Sequence, residues 1–160
     1  MGRRKRARRK AWDQFADGGR SLLIGAALAS GNSSYGPNAG MNAAECFTAI
    51  KMITKLLKAT VGERRPDGDN NNSFPSEHAA LCVAAAIFIE REHRGRIGTA
   101  AWALAAAVGL ARIESKRHYP SDVLAGAAIG WLAAHITLGL NQAAVEVIGS
   151  GVKVPSDARH

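Results

Sequence analysis

The sequence contains few aromatic residues, two cysteines and no long alternation of β-branched side chains. Aromatic residues make up 6% of its 160 residues, whereas hydrophobic residues reach 47% and are mostly alanine. Alanine favours helix and close packing, so the composition predicts an all-α fold of one domain and argues against a sheet protein. Cys46 and Cys82 lack the close spacing of a zinc or redox motif, and we expect both of them in the core.

Acidic residues are absent from the first ten positions, which hold seven of the 21 basic residues. The rest of the chain has 14 basic and 13 acidic side chains, so seven of the eight net positive charges belong to this N-terminal segment. This distribution gives no reason to predict a specific nucleic-acid partner. A short basic segment is consistent with a solvated tail, with non-specific contact to nucleic acid or acidic lipid headgroups, and with a terminus retained on the cytoplasmic side of a membrane.

The spacing of apolar residues, together with the positions of glycine, proline and asparagine, predicts a compact bundle of about five helices. The predicted helices cover residues 12–29, 42–60, 76–90, 97–111 and 121–140, and the segments 30–38 and 62–73 are predicted loops. Residues 123–145 carry no charged side chain and are long enough to span a bilayer, and Gly126 and Gly130 form a spacing that allows close helix approach. Hydropathy alone does not separate a soluble bundle from a membrane-embedded one.

Polar residues with the chemistry of a phosphate site gather at the predicted helix ends. Lys58, Arg65 and Arg112 supply three cations, and guanidinium groups match phosphate oxygens with paired hydrogen bonds. Ser76 is a predicted N-cap, which directs the free backbone N–H groups of Glu77 and His78 towards an anion. This arrangement predicts an oxyanion site at one end of the bundle that works without a metal or another cofactor.

Two histidines and a carboxylate complete the predicted chemistry. His118 and Asp122 are four residues apart, so the carboxylate can accept a hydrogen bond from one ring nitrogen and leave the other to attack phosphorus. His78 can then protonate the leaving oxygen, and water would hydrolyse the phosphohistidine in a second step. Lys116 and Arg117 lie next to His118 and could attract an anionic substrate.

Three spaced motifs resemble those of the type-2 phosphatidic acid phosphatase superfamily, which includes membrane lipid phosphatases, bacterial acid phosphatases and vanadium haloperoxidases. The family signature is K-x6-RP, PSGH and SR-x5-H-x3-D. This chain has Lys58-x6-Arg65-Pro66, then Pro75-Ser76-Glu77-His78, then Ala111-Arg112-x5-His118-x3-Asp122. The resemblance covers residues 58–140, about half of the chain.

The resemblance implies a role for each matched residue. His118 is the implied nucleophile, His78 the acid and Asp122 the partner of the nucleophile, while Lys58, Arg65, Ser76 and Arg112 are implied phosphate ligands. Two positions depart from the family pattern. Glu77 replaces glycine, which keeps the backbone N–H but brings a carboxylate near the phosphate, and Ala111 replaces serine, which removes a hydroxyl group.

The resemblance also implies the substrate class and the location of the protein. We expect a phosphatase acting on a phosphorylated lipid at a membrane, with a basic tail over 1–20 on the cytoplasmic side, a helical phosphatase-like domain over 21–145 and an irregular tail over 146–160. A soluble acid phosphatase for small phosphate esters is the alternative. A vanadate-dependent haloperoxidase and a non-catalytic protein that binds phospholipids or polyanions also remain open, and the sequence does not indicate the oligomeric state.

Overall fold

The computed structural model describes residues 2–29 and 39–151, and these residues form five α-helices without a strand. The helices are α1 (Gly2–Ala29), α2 (Ala39–Val61), α3 (Glu77–Glu92), α4 (Arg96–Glu114) and α5 (Pro120–Gly151). The predicted all-α bundle of about five helices is therefore confirmed. The predicted loop at 30–38 lies outside the described residues.

Helix α3 is the centre of the bundle and packs against all four other helices. Its residues from Ala79 to Ile89 are almost all buried, as expected of a helix that is apolar on every side. The core around it includes Cys46 and Cys82, which are buried as predicted. The two ends of α3 therefore have fixed positions relative to every other helix.

Helix α5 approaches α3 through its two glycines. A Cβ atom added at Gly126 would lie 2.2 Å from the carbonyl oxygen of Ser76, and one at Gly130 would lie 2.1 Å from that of Ala80. Both distances are far below van der Waals contact, so only glycine fits at these two positions. The backbone N–H of Ser76 also donates to the carbonyl oxygen of Asp122 at 3.0 Å. These contacts join the start of α3 to the start of α5.

Helix α1 is longer than the sequence predicts. The sequence predicts a helix over 12–29 and a basic tail over 1–20. Instead, α1 begins at Gly2, continues without a break through residue 20, and packs against α2, α3 and α4. Ala16, Leu23 and Ala27 are buried in these contacts. In the basic part of α1, Arg9 donates to the carbonyl oxygen of Ser115 at 3.0 Å and to Asp67 at 2.7 Å. Helix α5 likewise extends through residue 146 to Gly151.

Candidate active site

The three motifs come together at one end of the bundle. Lys58 lies at the end of α2, and its ammonium group donates to the carbonyl oxygens of Pro75 at 2.6 Å and Asn72 at 3.2 Å. The 62–76 loop is thereby fastened to α2. Burial lowers the pKa of Lys58, and the nearby Arg65 lowers it further. The first and second motifs are thus in direct contact.

His118 is buried, and its ring is held by the backbone. The side chain is 2% exposed, and Nδ1 lies 2.8 Å from the carbonyl oxygen of Ser73. Since a carbonyl oxygen only accepts hydrogen bonds, Nδ1 carries the proton and Nε2 of the neutral ring keeps its lone pair. The structure thus leaves one ring nitrogen of His118 available as a nucleophile.

The carboxylate of Asp122 does not make the predicted hydrogen bond to His118. Its Oδ2 atom lies 3.7 Å from Nδ1 of His118, and it accepts instead from the hydroxyl of Ser73 at 2.5 Å and from the backbone N–H of Tyr119 at 2.9 Å. The carbonyl of Ser73 takes the place expected for Asp122. The negative charge of Asp122 remains close to the ring, and its contact with Ser73 fixes the residue that orients His118.

The three predicted cations surround His118. Burial lowers its pKa to about 3, and the charges of Arg112, Lys58 and Arg65 act in the same direction. The imidazole is consequently neutral over the physiological range. A neutral ring is the form required for attack on phosphorus.

Two guanidinium groups in the site keep unpaired donors. The Nε atoms of Arg65 and Arg112 are buried and have no hydrogen-bond partner among the described residues. Burying a hydrogen-bond donor without a partner costs free energy of folding. A guanidinium group with an unpaired N–H can recover this cost by donating to an oxyanion. These two donors make the site chemically suited to an anion.

The start of α3 adds backbone donors to the site. Ser76 is the N-cap, as predicted, and its hydroxyl accepts from the backbone N–H of Ala79 at 3.4 Å. The N–H groups of the first helical turn have no carbonyl partner within the helix, so the turn beginning at Glu77 favours an anion. The Glu77 side chain is half-buried, and its charge opposes the lowering of the Lys58 pKa. Ala111 lies fully buried in the apolar core.

Two carboxylates of α1 enter this site, and the sequence motifs do not reveal them. Asp13 accepts from Nη1 of Arg112 at 3.0 Å and from Nε of Arg117 at 3.0 Å. Asp17, one helical turn later, lies 2.7 Å from Nε2 of His78. The four-residue spacing of these acids after a basic segment was the available signal, because it places both on one face of a helix.

His78 lies between α1 and the cations of the site. Burial lowers its pKa to about 4, and Arg112 lowers it further, whereas the hydrogen bond to Asp17 raises it. His78 is therefore neutral at pH 7 in the absence of an anionic ligand. The negative charge of a bound phosphate would favour its protonated form.

Arg117 is engaged by carboxylates rather than directed to solvent as a free cation. It contacts Asp13 at 3.0 Å, Asp69 at 3.1 Å and Asp67 at 3.4 Å. Asp67 also accepts from Arg9 of α1 at 2.7 Å. The attraction of an anion predicted for Arg117 is thus weakened by its acidic neighbours, and the residue mainly links α1 to the loop that carries Asp67 and Asp69.

Comparison with known proteins places these features in a family. A family model described as the PAP2 superfamily matches residues 39–146. Over 82 residues, 49% of this chain, the sequence is 39% identical to a lipid A 1-phosphatase of Porphyromonas gingivalis. Over 112 residues, 70% of this chain, it is 33% identical to the bacitracin transport permease protein BcrC of Bacillus licheniformis. The matches span 18% and 46% of the lengths of these two relatives.

A solved structure has the same fold. The crystal structure of a transmembrane PAP2-type phosphatidylglycerolphosphate phosphatase from Bacillus subtilis superimposes with a TM-score of 0.66. The superposition covers 84% of this chain and 76% of that protein, with 21% sequence identity. The match to residues 39–146 includes all three motifs and four of the five helices, so the chain belongs to the PAP2 superfamily.

Proposed function

We propose that this protein is a metal-independent phosphatase that hydrolyses a phosphate monoester or pyrophosphate of a membrane lipid through a phosphohistidine. The observation that carries the proposal is the neutral, buried ring of His118 together with two buried guanidinium N–H groups, those of Arg65 and Arg112, that have no hydrogen-bond partner in the part of the chain that the structure describes. A nucleophile with a free lone pair and fixed cationic donors for an oxyanion are two requirements of phosphoryl transfer without a metal.

The proposed reaction gives each of these groups a role. The phosphoryl oxygens are held by Arg65, Arg112, Lys58 and the first turn of α3. The lone pair on Nε2 of His118 then forms a bond to phosphorus. The bond from phosphorus to the leaving oxygen breaks, and this oxygen takes a proton from His78. Water then attacks the phosphohistidine, His78 receives a proton from that water, and inorganic phosphate leaves with His118 neutral again.

A lipid substrate is supported by the surface of the helices. Among the described residues, Arg96–Glu114 and Pro120–Glu146 are long and apolar enough to cross a membrane, and only 17% of the apolar segment of the second is buried. An exposed apolar face of this size is expected to contact lipid. The large hydrophobic side chains exposed on the described part of α5 are Leu124, Trp131, Leu132, Ile136, Leu140 and Val145.

The names of relatives and the charge of α1 support the same substrate class and suggest an orientation. Matched relatives include lipid A 1-phosphatases and a phosphatidylglycerophosphatase B of Bacillus subtilis. We propose that the basic first turns of α1 lie on the cytoplasmic side, because positive residues are retained there and attract acidic headgroups. Labelling of a cysteine introduced near residue 5 in intact and opened cells would test this orientation.

The experiment that tests the function compares wild-type protein with His118→Ala and, as a control, with His93→Ala, which changes an exposed histidine at the other end of α3. Phosphate release is measured with an aryl phosphate and with phosphatidic acid in detergent, with a chelator present. We expect turnover of phosphatidic acid by wild type and His93→Ala, and none by His118→Ala.

A phosphoryl-enzyme is then sought by quenching a reaction with labelled substrate in alkali, where phosphohistidine persists. Label on wild type that is missing from His118→Ala supports the histidine route. Faster turnover of the aryl ester than of phosphatidic acid would favour the soluble acid phosphatase. Phosphate binding without turnover of either substrate would reject the enzymatic function and favour a binding protein.

A further inference from the structure

Helix α1 lies outside the segment matched by the family model, yet it contacts a histidine of the proposed site. The match begins at residue 39, whereas Asp17 approaches Nε2 of His78 to 2.7 Å from a position 61 residues earlier in the chain. His78 is 13% exposed and Asp17 is 57% exposed, so the contact lies at the mouth of the site. Asp13, one turn earlier, contacts Arg112 of the same site.

We propose that Asp17 is a positioning residue for His78, which it holds in the orientation and charge state needed to protonate the leaving oxygen. The inference rests on the proposed phosphatase function. A carboxylate accepts a hydrogen bond, so contact with Nε2 keeps a proton on that nitrogen. The proton that His78 releases to the substrate is then the one on Nδ1, and the carboxylate of Asp17 stabilises the imidazolium that carries it.

The surroundings of His78 explain why such a partner is needed. His78 faces Arg112 of α4 and Arg20 of α1, and both positive charges disfavour the imidazolium, as does burial. Lys58, near the end of α2, and Asp122, at the start of α5, act on His118 instead, Lys58 through its charge and Asp122 at 3.7 Å from the ring. Among the described residues, Asp17 is the carboxylate within hydrogen-bond distance of His78. Its Oδ1 atom also lies 3.9 Å from Nη2 of Arg20.

The role of Asp17 has a specific chemical signature. An alkoxide leaving group needs a proton in the transition state, whereas a p-nitrophenolate leaves without one. Loss of the acid therefore slows hydrolysis of an alkyl phosphate far more than that of p-nitrophenyl phosphate. A contact that only fastens α1 to the bundle would affect both substrates equally.

The test compares wild type with Asp17→Ala, Asp17→Asn and Asp17→Glu, and with Glu114→Gln as an exposed carboxylate changed at the same end of the bundle. We expect Asp17→Ala and Asp17→Asn to lower kcat on phosphatidic acid by about 10-fold to 100-fold, within the range for general acid catalysis. We expect kcat on p-nitrophenyl phosphate to fall less than about threefold, Asp17→Glu to recover part of the loss, and Glu114→Gln to match wild type. An equal loss on both substrates, or no loss, would overturn the proposal.

A second measurement is independent of turnover. The pKa of the His78 imidazole is followed by NMR in wild type and Asp17→Asn with inorganic phosphate bound. We expect a pKa about one unit lower or more in the variant, because an adjacent carboxylate shifts a titrating group by that amount. An unchanged pKa would overturn the proposal even for a protein without turnover, whereas a lowered pKa without turnover would contradict the phosphatase function alone.

Discussion

The two sides of the candidate site are held together by different kinds of contact. On the inner side, α3 and α5 meet backbone to backbone, with Gly126 against the carbonyl of Ser76 and Gly130 against that of Ala80. On the outer side, α1 reaches the site through carboxylates, with Asp13 on Arg112 and Asp17 on His78. The inner contacts are steric and fully buried, and the outer contacts are ionic and partly exposed.

The inner contacts therefore determine the geometry of the site, and the outer contacts determine its electrostatics. A steric contact between backbones has no tolerance for an added atom, so the inner side sets the positions of the proposed nucleophile and of the helix start that faces the anion. Ionic contacts tolerate movement and respond to charge, salt and pH. Substitutions on the inner side should therefore abolish the site, whereas those on the outer side should tune it.

The largest effect is expected for Gly130→Ala, because the new methyl group would overlap the backbone of Ala80. We expect separation of α3 from α5, a loss of thermal stability of several degrees or more and a loss of activity of at least about 100-fold. Thermal unfolding and phosphate release in the same detergent measure both. Gly139→Ala on the same helix is the control, because nothing lies within 4 Å of the added Cβ. Equal behaviour of the two variants would contradict the steric role of Gly130.

An intermediate effect is expected for Asp13→Asn. The amide oxygen can still accept the hydrogen bond of Arg112, but the negative charge that opposes an incoming phosphate is removed. We expect inorganic phosphate to inhibit the variant about tenfold more strongly, a change of roughly 1.4 kcal/mol in binding free energy. Asp69→Asn is the matched control. The Asp69 side chain is 62% exposed, so its ion pair with Arg117 is weak and the substitution should change inhibition by phosphate less than about twofold. Weaker inhibition of Asp13→Asn would show that the charge of Asp13 orients Arg112 for binding.

The smallest effect is a dependence of stability on pH. The pKa values of His78 and His118 are lowered to about 4 and about 3, from 6.5 in the unfolded chain. The unfolded state therefore binds more protons as the pH falls below about 6.5, and the folded state loses relative stability. We expect the thermal midpoint to decrease between pH 7 and pH 5 and to decrease less in His78→Gln. The same pH dependence in both proteins would contradict the neutral state of His78.

The sequence predicts the inner side of the site better than the outer side. The three motifs lie within 65 residues. Ser76 caps α3 as predicted, and α5 begins at Pro120, one residue before the predicted start at 121. The spacing of Gly126 and Gly130 indicates that another helix approaches α5 closely, but it does not identify the carbonyl groups that these glycines contact. Those depend on the orientation of α3, which results from packing on four sides.

The contacts of α1 could not be predicted from local sequence, because they join residues 61 and 99 positions apart. A basic segment without acids has the composition of a solvated tail. The position of α1 is fixed by long-range contacts, namely the burial of Ala16, Leu23 and Ala27 against the other helices and the ion pairs of its polar residues. The role of Ser73 was missed for a related reason. Its contribution to His118 is made by a carbonyl oxygen, which every residue carries and no pattern of side chains can reveal.

The carbonyl of Ser73 also has a consequence for how the protein tolerates genetic variation. Where a side chain orients a catalytic histidine, one codon change removes the acceptor. Here the acceptor belongs to the main chain and survives substitution of Ser73 by any residue that preserves the path of the loop. The protonation pattern of the His118 ring is thus encoded by the course of the chain between α2 and α3.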